Sequence, residues 1–358
     1  MRSRPQDRRS AAIVREAAPR LPPVREPKAL RALLVCVTAI ALATALGACG
    51  GDDDGDDEAK IDVAQRAAPV RCTPLREPPK QLRVRSKWSK DEIRSLTITK
   101  QRDEAEASMD QQSKATAVVR VLRAGRRESL LRWSSDDVAL PTSGAGVTEE
   151  QLRRLKRAAG EFQVVYSTDR SGTFKKVSNV PALRAQVRRT LAVLDRLGED
   201  DPKLTEAIAA SRELVLSDAF IRSTLVKEIV GMHAAYGLKL TAGAPRTLPY
   251  ELANPFGGRP LPAQARIELV DAQDAAGCAV VQIAVTPDAR AVSDAIVQGL
   301  RASGATAPSA AELAGFRIRN TLRYGYDPGS GWIVRADLSQ SIKAGNRSRN
   351  DRTVITSR

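Results

Sequence analysis

Apolar residues fall on every second position across the last hairpin of the chain, and this alternation most limits the folds open to it. Phe316, Ile318, Leu322, Tyr324 and Tyr326 share one phase, while Arg317, Arg319 and Arg323 take the other. Asp327-Pro328-Gly329-Ser330-Gly331 turns the chain, and Trp332, Val334, Ala336, Leu338 and Ile342 return in the apolar phase. A period of two is a strand period, because successive side chains of a strand point to opposite faces of a sheet. Such a hairpin has one dry face and one wet face, and other elements must cover the dry one. Aromatics are only 4% of the chain, so the cover must come mostly from Val, Leu, Ile and Ala.

The same pattern recurs upstream. A strand region over 92–109, around Ile93, Leu96 and Ile98, is polar enough to be expected at a sheet edge. Ala115–Leu122 reads as a strand, and the turn Ala124-Gly125-Arg126-Arg127 leads into Glu128–Val138, with Leu131 and Trp133 on one face. Thr148 and Gln151 form a capping-box pattern that opens a short helix over 148–155. Phe162, Val164 and Tyr166 alternate into the turn Asp169-Arg170-Ser171-Gly172, and the chain returns through Phe174 and Val177. Ala265, Ile267 and Leu269 face Ala279, Val281, Ile283 and Val285 across Asp274-Ala275-Ala276-Gly277. A helix near 288–302 and a closing strand near 351–357 complete this half.

Between the two sets of strands the period changes. Leu183, Val187, Leu191 and Leu194 make one apolar stripe on a helix beginning at Pro181. Further helices are expected over 203–215 and 218–235, the latter carrying Ile221, Leu225, Ile229 and Met232. The pattern predicts an α+β domain over 86–358. Its large, curved, hairpin-connected antiparallel sheet would be half-barrel-like, with a helical block inserted at about 181–235.

The first part of the chain is of another kind. Arg25, Lys28 and Arg31 precede an apolar run from Ala32 to Leu46, the length of a signal-peptide core and short for a bilayer span. The run ends in Leu46-Gly47-Ala48-Cys49, which resembles the lipobox of bacterial lipoproteins. That resemblance implies cleavage between Ala48 and Cys49 and a diacylglyceryl group on the Cys49 thiol, a stable anchor in the cell membrane on its extracytoplasmic side. Cys36 follows the bulky Val35 and does not fit the pattern. Residues 1–48 are thus expected to be a signal peptide with an over-long basic N-terminus. The run Gly50-Gly51-Asp52-Asp53-Asp54-Gly55-Asp56-Asp57-Glu58 and the Pro- and Arg-rich stretch to Arg85 read as a tether over 49–85.

The hairpin Tyr166–Val180 running into a helix, and the closing hairpin around Tyr326–Gly331 with Val334-Arg335-Ala336-Asp337 returning, give a layout that resembles a family of bacterial exported lipoproteins. More remotely, it is similar to the half-barrel proteins that carry lipids or lipoproteins across the cell envelope. That similarity implies an apolar cavity between sheet and helices. Trp133, Tyr166, Tyr324, Tyr326 and Trp332 are its candidate lining, although core packing is the usual fate of any one aromatic.

No catalytic pattern accompanies the fold. The single histidine, His233, lies on a helix between Met232 and Ala234 with no second histidine to complete a metal site. No C-x-x-C, H-E-x-x-H, G-x-S-x-G or P-loop spacing occurs, so neither metal nor cofactor is expected and the chain reads as non-catalytic. Export into an oxidising compartment favours a disulfide between Cys72 and Cys278 over two free thiols. The formal net charge is +15, and residues 1–48 hold nine of the Lys and Arg and three of the acids, so a cleaved chain stays basic. No nucleic-acid motif goes with that charge. Two functions remain. One is binding of an apolar or lipid-like ligand. The alternative is an envelope structural or interaction protein whose Arg317, Arg319, Arg323, Arg335 and Lys343 meet an anionic wall polymer or a protein partner.

Overall fold

The structure, a computed structural model, describes residues 72, 77, 79–104, 111–138, 162–198, 205, 209, 212–213, 215–223, 225–252, 254, 259–274, 277–302, 309, 313, 315–344 and 347–358. The signal segment 1–48, Cys49 and the acidic run after it, the helix expected over 148–155 and most of the one expected over 203–215 lie outside the described residues.

Two antiparallel meanders make the sheet. The first comprises β2 (Ile93–Glu104), β3 (Gln111–Arg123), β4 (Glu128–Val138), β5 (Phe162–Asp169) and β6 (Phe174–Val177), each paired with the next. The second comprises β8 (Arg246–Leu252), β9 (Leu261–Gln273), β10 (Ala279–Pro287), β11 (Arg317–Asp327), β12 (Trp332–Ala344) and β13 (Arg347–Ser357). β13 returns alongside β2, with Ile355 opposite Ile98, and joins the meanders. The result is one eleven-stranded sheet in the order β6-β5-β4-β3-β2-β13-β12-β11-β10-β9-β8. It is curved but not a closed barrel, and the α+β class holds. The edges are managed as edges usually are: β6 has four residues, and β8 carries Pro249.

Three expectations need correction. β2 is not an edge strand but lies near the middle, between β3 and β13. Its polarity has another cause, since Lys100 and Arg102 continue the phase of Leu96 and Ile98 and meet carboxylates on the same face. The folded part also begins before Arg85. β1 (Gln81–Arg83) pairs with β7 (Lys239–Thr241), and Cys72, Leu82 and Val84 are buried. Finally, the helix expected over 218–235 is two. The block contains α1 (Val180–Gly198), α2 (Asp218–Ser223) and α3 (Lys227–His233). Val226 leaves helical geometry (φ −113°, ψ 19°), which lets Leu225 and Val226, neighbours in sequence, both enter the core. α1 buries Leu183, Leu191 and Leu194, the stripe read from its spacing. α4 (Ala289–Ala302) starts where Asp288 accepts a hydrogen bond from the Ala291 amide at 2.8 Å, an N-cap.

The sheet curls around α3. Tyr166 on β5 shares a hydrogen bond with His233 at 3.0 Å, and Tyr324 on β11 donates to the Gly231 carbonyl at 2.6 Å. β5 and β11 are six strand spacings apart, about 29 Å in a flat sheet, yet both reach this one helix of seven residues, which is about 10 Å long. Only a strongly curved sheet brings both to it. A Cβ on Gly231 would stand 2.7 Å from Leu338 Cδ1 on β12, so the absent side chain lets α3 lie close on the sheet. A disulfide joins Cys72 to Cys278 (Cα–Cα 5.1 Å) and ties the segment before β1 to the start of β10.

Candidate functional site

The five aromatics expected to line a cavity are brought to one side of the sheet, but they form the dry core. Trp133, Tyr166, Tyr324, Tyr326 and Trp332 are each 4% exposed or less. The polar tips of all but Trp133 bond within the fold. The Tyr326 hydroxyl donates to the Arg85 carbonyl at 2.8 Å, and the Trp332 indole donates to Glu92 at 2.7 Å. Tyr236, which the sequence did not single out, donates to the Gly331 carbonyl at 3.0 Å and accepts from the Ile333 amide at 3.1 Å. His233 lies among Trp88, Tyr166 and Tyr236. Its Nδ1 is 2.7 Å from the Gly172 carbonyl, so Nδ1 carries the proton and Nε2 accepts from Tyr166. Burial pushes the imidazole down to about 4, with the Gly172 carbonyl opposing, so it is neutral at pH 7. Burial likewise pushes the Tyr166, Tyr236 and Tyr324 hydroxyls up. A neutral, fully bonded histidine holds α3 to the Tyr166–Phe174 hairpin.

The open part of the concave face lies beyond this core. Strand register sets side chains of neighbouring strands in rows on the α3 side. One row runs Ile267, Ile283, Leu322, Leu338, Thr353, Lys100 from β9 to β2. The next runs Asn320, Gln340, Asp351, Arg102, and a third Ile318, Ile342, Arg349. Leu322, Leu338, Ile318 and Ile342, on β11 and β12, are only half-buried. α3 lies at one end of this apolar patch, through Leu338, and the cluster containing α4 lies at the other, through Ile318. On the β7, β8 and β9 side, a cleft of about 240 Å³ opens between Leu238, Leu240, Leu248 and Ile267, with Lys239 and Arg246 beside it. That is somewhat below the usual range of small-molecule pockets.

On β13 and β2 the same face becomes charged. Lys100 Nζ is 2.9 Å from Glu228 on α3. Arg102 and Arg349 share Asp351, at 2.8 and 2.6 Å. Burial pushes the Glu228 and Asp351 carboxyls up, but their basic neighbours outweigh it and hold both below the ordinary carboxylate range. Lys227 forms no ion pair of its own among the described residues. Its side chain keeps contact with solvent, yet the protein around it displaces enough water to push its ammonium below the ordinary lysine range. Lys100, Arg102, Lys227 and Arg349 meet Glu228 and Asp351 at this end, and register sets Glu104 opposite Arg349. None of these was singled out from sequence. Lys100 and Arg102 did carry a signal, because they hold the apolar phase of β2 two and four residues past Ile98.

The basic residues expected on the far face are there. Arg317 pairs in register with Lys343, Arg323 with Asp337 and Arg335 with Gly325, all on the convex side with Arg319, and the five cations are exposed. Arg352 joins them and binds Asp337, whose carboxyl it holds below the ordinary range. Cys49 and Ala48 lie outside the described residues. Among the described residues no three His, Cys, Asp or Glu side chains come together as a metal site, and no helix is long and apolar enough to cross a membrane.

Fold and site together define an open antiparallel half-barrel curled on a short helix, with a concave face apolar at one side and charged at the other. No protein-family model matches this chain, and no curated protein sequence does. Among solved structures it is similar to one described as lipid–protein interactions in lipovitellin, with 9% identity and a TM-score of 0.33 over 76% of this chain. The chain spans 25% of the length of that lipovitellin chain. Similarity at this level says nothing about what the present chain binds.

Proposed function

We propose that this protein is an exported lipoprotein, anchored through Cys49, whose concave sheet face holds an apolar or lipid-like ligand without catalysing a reaction. The observation that carries the proposal is the half-buried apolar patch of Ile318, Leu322, Leu338 and Ile342. In the same phase Val281, Ile283 and Tyr324 are dry. Apolar surface left open inside a curve, out of reach of neighbouring molecules' flat faces, suits a small ligand better than a second protein. The motif at Cys49 adds the address, and the acidic run after it supplies the spacer. The test is native mass spectrometry of the full chain extracted from membranes, followed by solvent extraction. A co-purifying lipid in stoichiometric amount is the expected result, and a clean protein that takes up no lipid on incubation with vesicles would overturn it. Labelling with a radioactive fatty acid tests the anchor separately. Uptake by a Cys49→Ser chain would exclude it.

A second function has its own observation, the exposed cations Arg317, Arg319, Arg323, Arg335 and Lys343 on the convex side. A stripe with few carboxylates suits an anionic wall polymer. Binding to purified cell wall that weakens steeply with salt would support it, and binding indifferent to salt would dismiss it.

A further inference from the structure

We infer that the ligand of the concave face is an amphiphile with an anionic head group, and that Lys227 receives the head. This rests on the proposal that the face binds a lipid-like ligand, and it adds the chemistry of one end. The face is split by strand. In the row from Ile267 to Lys100 the residues on β9 to β12 are apolar, and Lys100 follows on β2. The row below changes from Asn320 and Gln340 to Asp351 and Arg102, and the third from Ile318 and Ile342 to Arg349 and Glu104. The row from Ile267 to Lys100 crosses five strand spacings, about 24 Å along the sheet, so one elongated molecule lying across the strands meets both kinds of surface.

At the charged end three of the four cations already have carboxylate partners. Lys100 is engaged by Glu228, and Arg102 and Arg349 are engaged by Asp351. Lys227 forms no ion pair among the described residues; it lies near Lys100 at the N-terminal end of α3, and its side chain reaches solvent. An apolar surface alone accepts any tail. An ammonium with no ion pair of its own, one helical turn from Gly231 and the Leu338 side chain that it meets, favours a carboxylate or phosphate head and leaves a neutral head unmatched.

The test uses the full chain at low salt, with oleate, oleyl alcohol and inorganic phosphate as probes in calorimetric titrations. Oleate should bind about tenfold more tightly than oleyl alcohol, the scale of one charge-assisted contact. The ratio should fall to near one in Lys227→Gln and return in Lys227→Arg, and thermal melts should show that both variants fold. Equal affinity for oleate and oleyl alcohol in the unaltered chain would overturn the inference while leaving a lipid-like ligand in place. Phosphate binding as tightly as oleate would mark a plain anion site and also overturn it. Failure of both lipids to bind would overturn the parent proposal as well.

Discussion

His233 is the only histidine of the chain, and its place shows how little a residue type says before its neighbours are known. Sequence could offer core or surface, and the structure buries it between Tyr166 and the Gly172 carbonyl. Gly172 has φ +99°, and a Cβ there would stand 2.7 Å from the Tyr236 ring, so the glycine is required for the carbonyl to approach the histidine. The buried imidazole makes stability depend on pH. Its folded pKa of about 4 lies below the free value of about 6.5. As pH falls the unfolded chain takes the proton first. Stability is therefore full above pH 6.5 and lost between 6.5 and 4, by up to about 3 kcal/mol. The carboxyls of Glu228 and Asp351, held below their ordinary range, lose their contribution only at lower pH. Urea unfolding at pH 7 and pH 5 should show this loss, and His233→Gln should show a much flatter pH dependence even if it is less stable at pH 7. An unchanged slope would assign the loss to other groups.

At the level of elements, α3 decides the shape. Seven residues suffice because the helix is touched from several strands, through Tyr166, Tyr324, Leu338 and Lys100. It lies close on the sheet at Gly231, where the first added carbon meets Leu338. Gly231→Leu should cost about 1–3 kcal/mol by overpacking and push the helix outward. Adding Leu338→Ala should recover part of that loss, and a double-mutant cycle in urea would measure the coupling. Additive losses would mean that helix and strand do not press on each other. Most elements were legible before any coordinates, because a period of two or of 3.6 is a local property. β8 was missed, although Leu248, Tyr250 and Leu252 alternate, because Pro249 interrupts the strand signal. β1 was missed because three residues carry almost no period.

For the whole molecule, the notable contacts are those between distant parts of the chain. β2 meets β13, with Arg102 opposite Asp351, and Cys72 is bonded to Cys278 over a separation of 206 residues. Both must wait for most of the chain to be made, and the bond removes a large loop entropy from the unfolded state. In the chain-entropy model the stabilisation is about 5 kcal/mol. Cys72→Ser with Cys278→Ser should lower the urea midpoint markedly, and reduction of the unaltered chain should have the same effect. A midpoint that does not move would show that the segment before β1 is held by Leu82 and Val84 packing alone.

The sequence by itself determined the class of fold. Alternation made the hairpins, the stripe made α1, and both follow from side-chain direction along a chain, which needs no knowledge of neighbours. It also raised an expectation of export through the motif at Cys49. Only the tertiary structure decided which apolar residues are core and which are surface of the groove. Tyr324 and Leu322 stand two residues apart in the same phase, yet one is sealed under α3 and the other is half-open. Only the structure, too, brought Lys100, Arg102, Lys227, Glu228, Arg349 and Asp351 to one end of the concave face. The physical reason is that curvature and long-range register are collective. They depend on how β13 lies against β2 and on how closely a glycine lets one short helix approach the sheet.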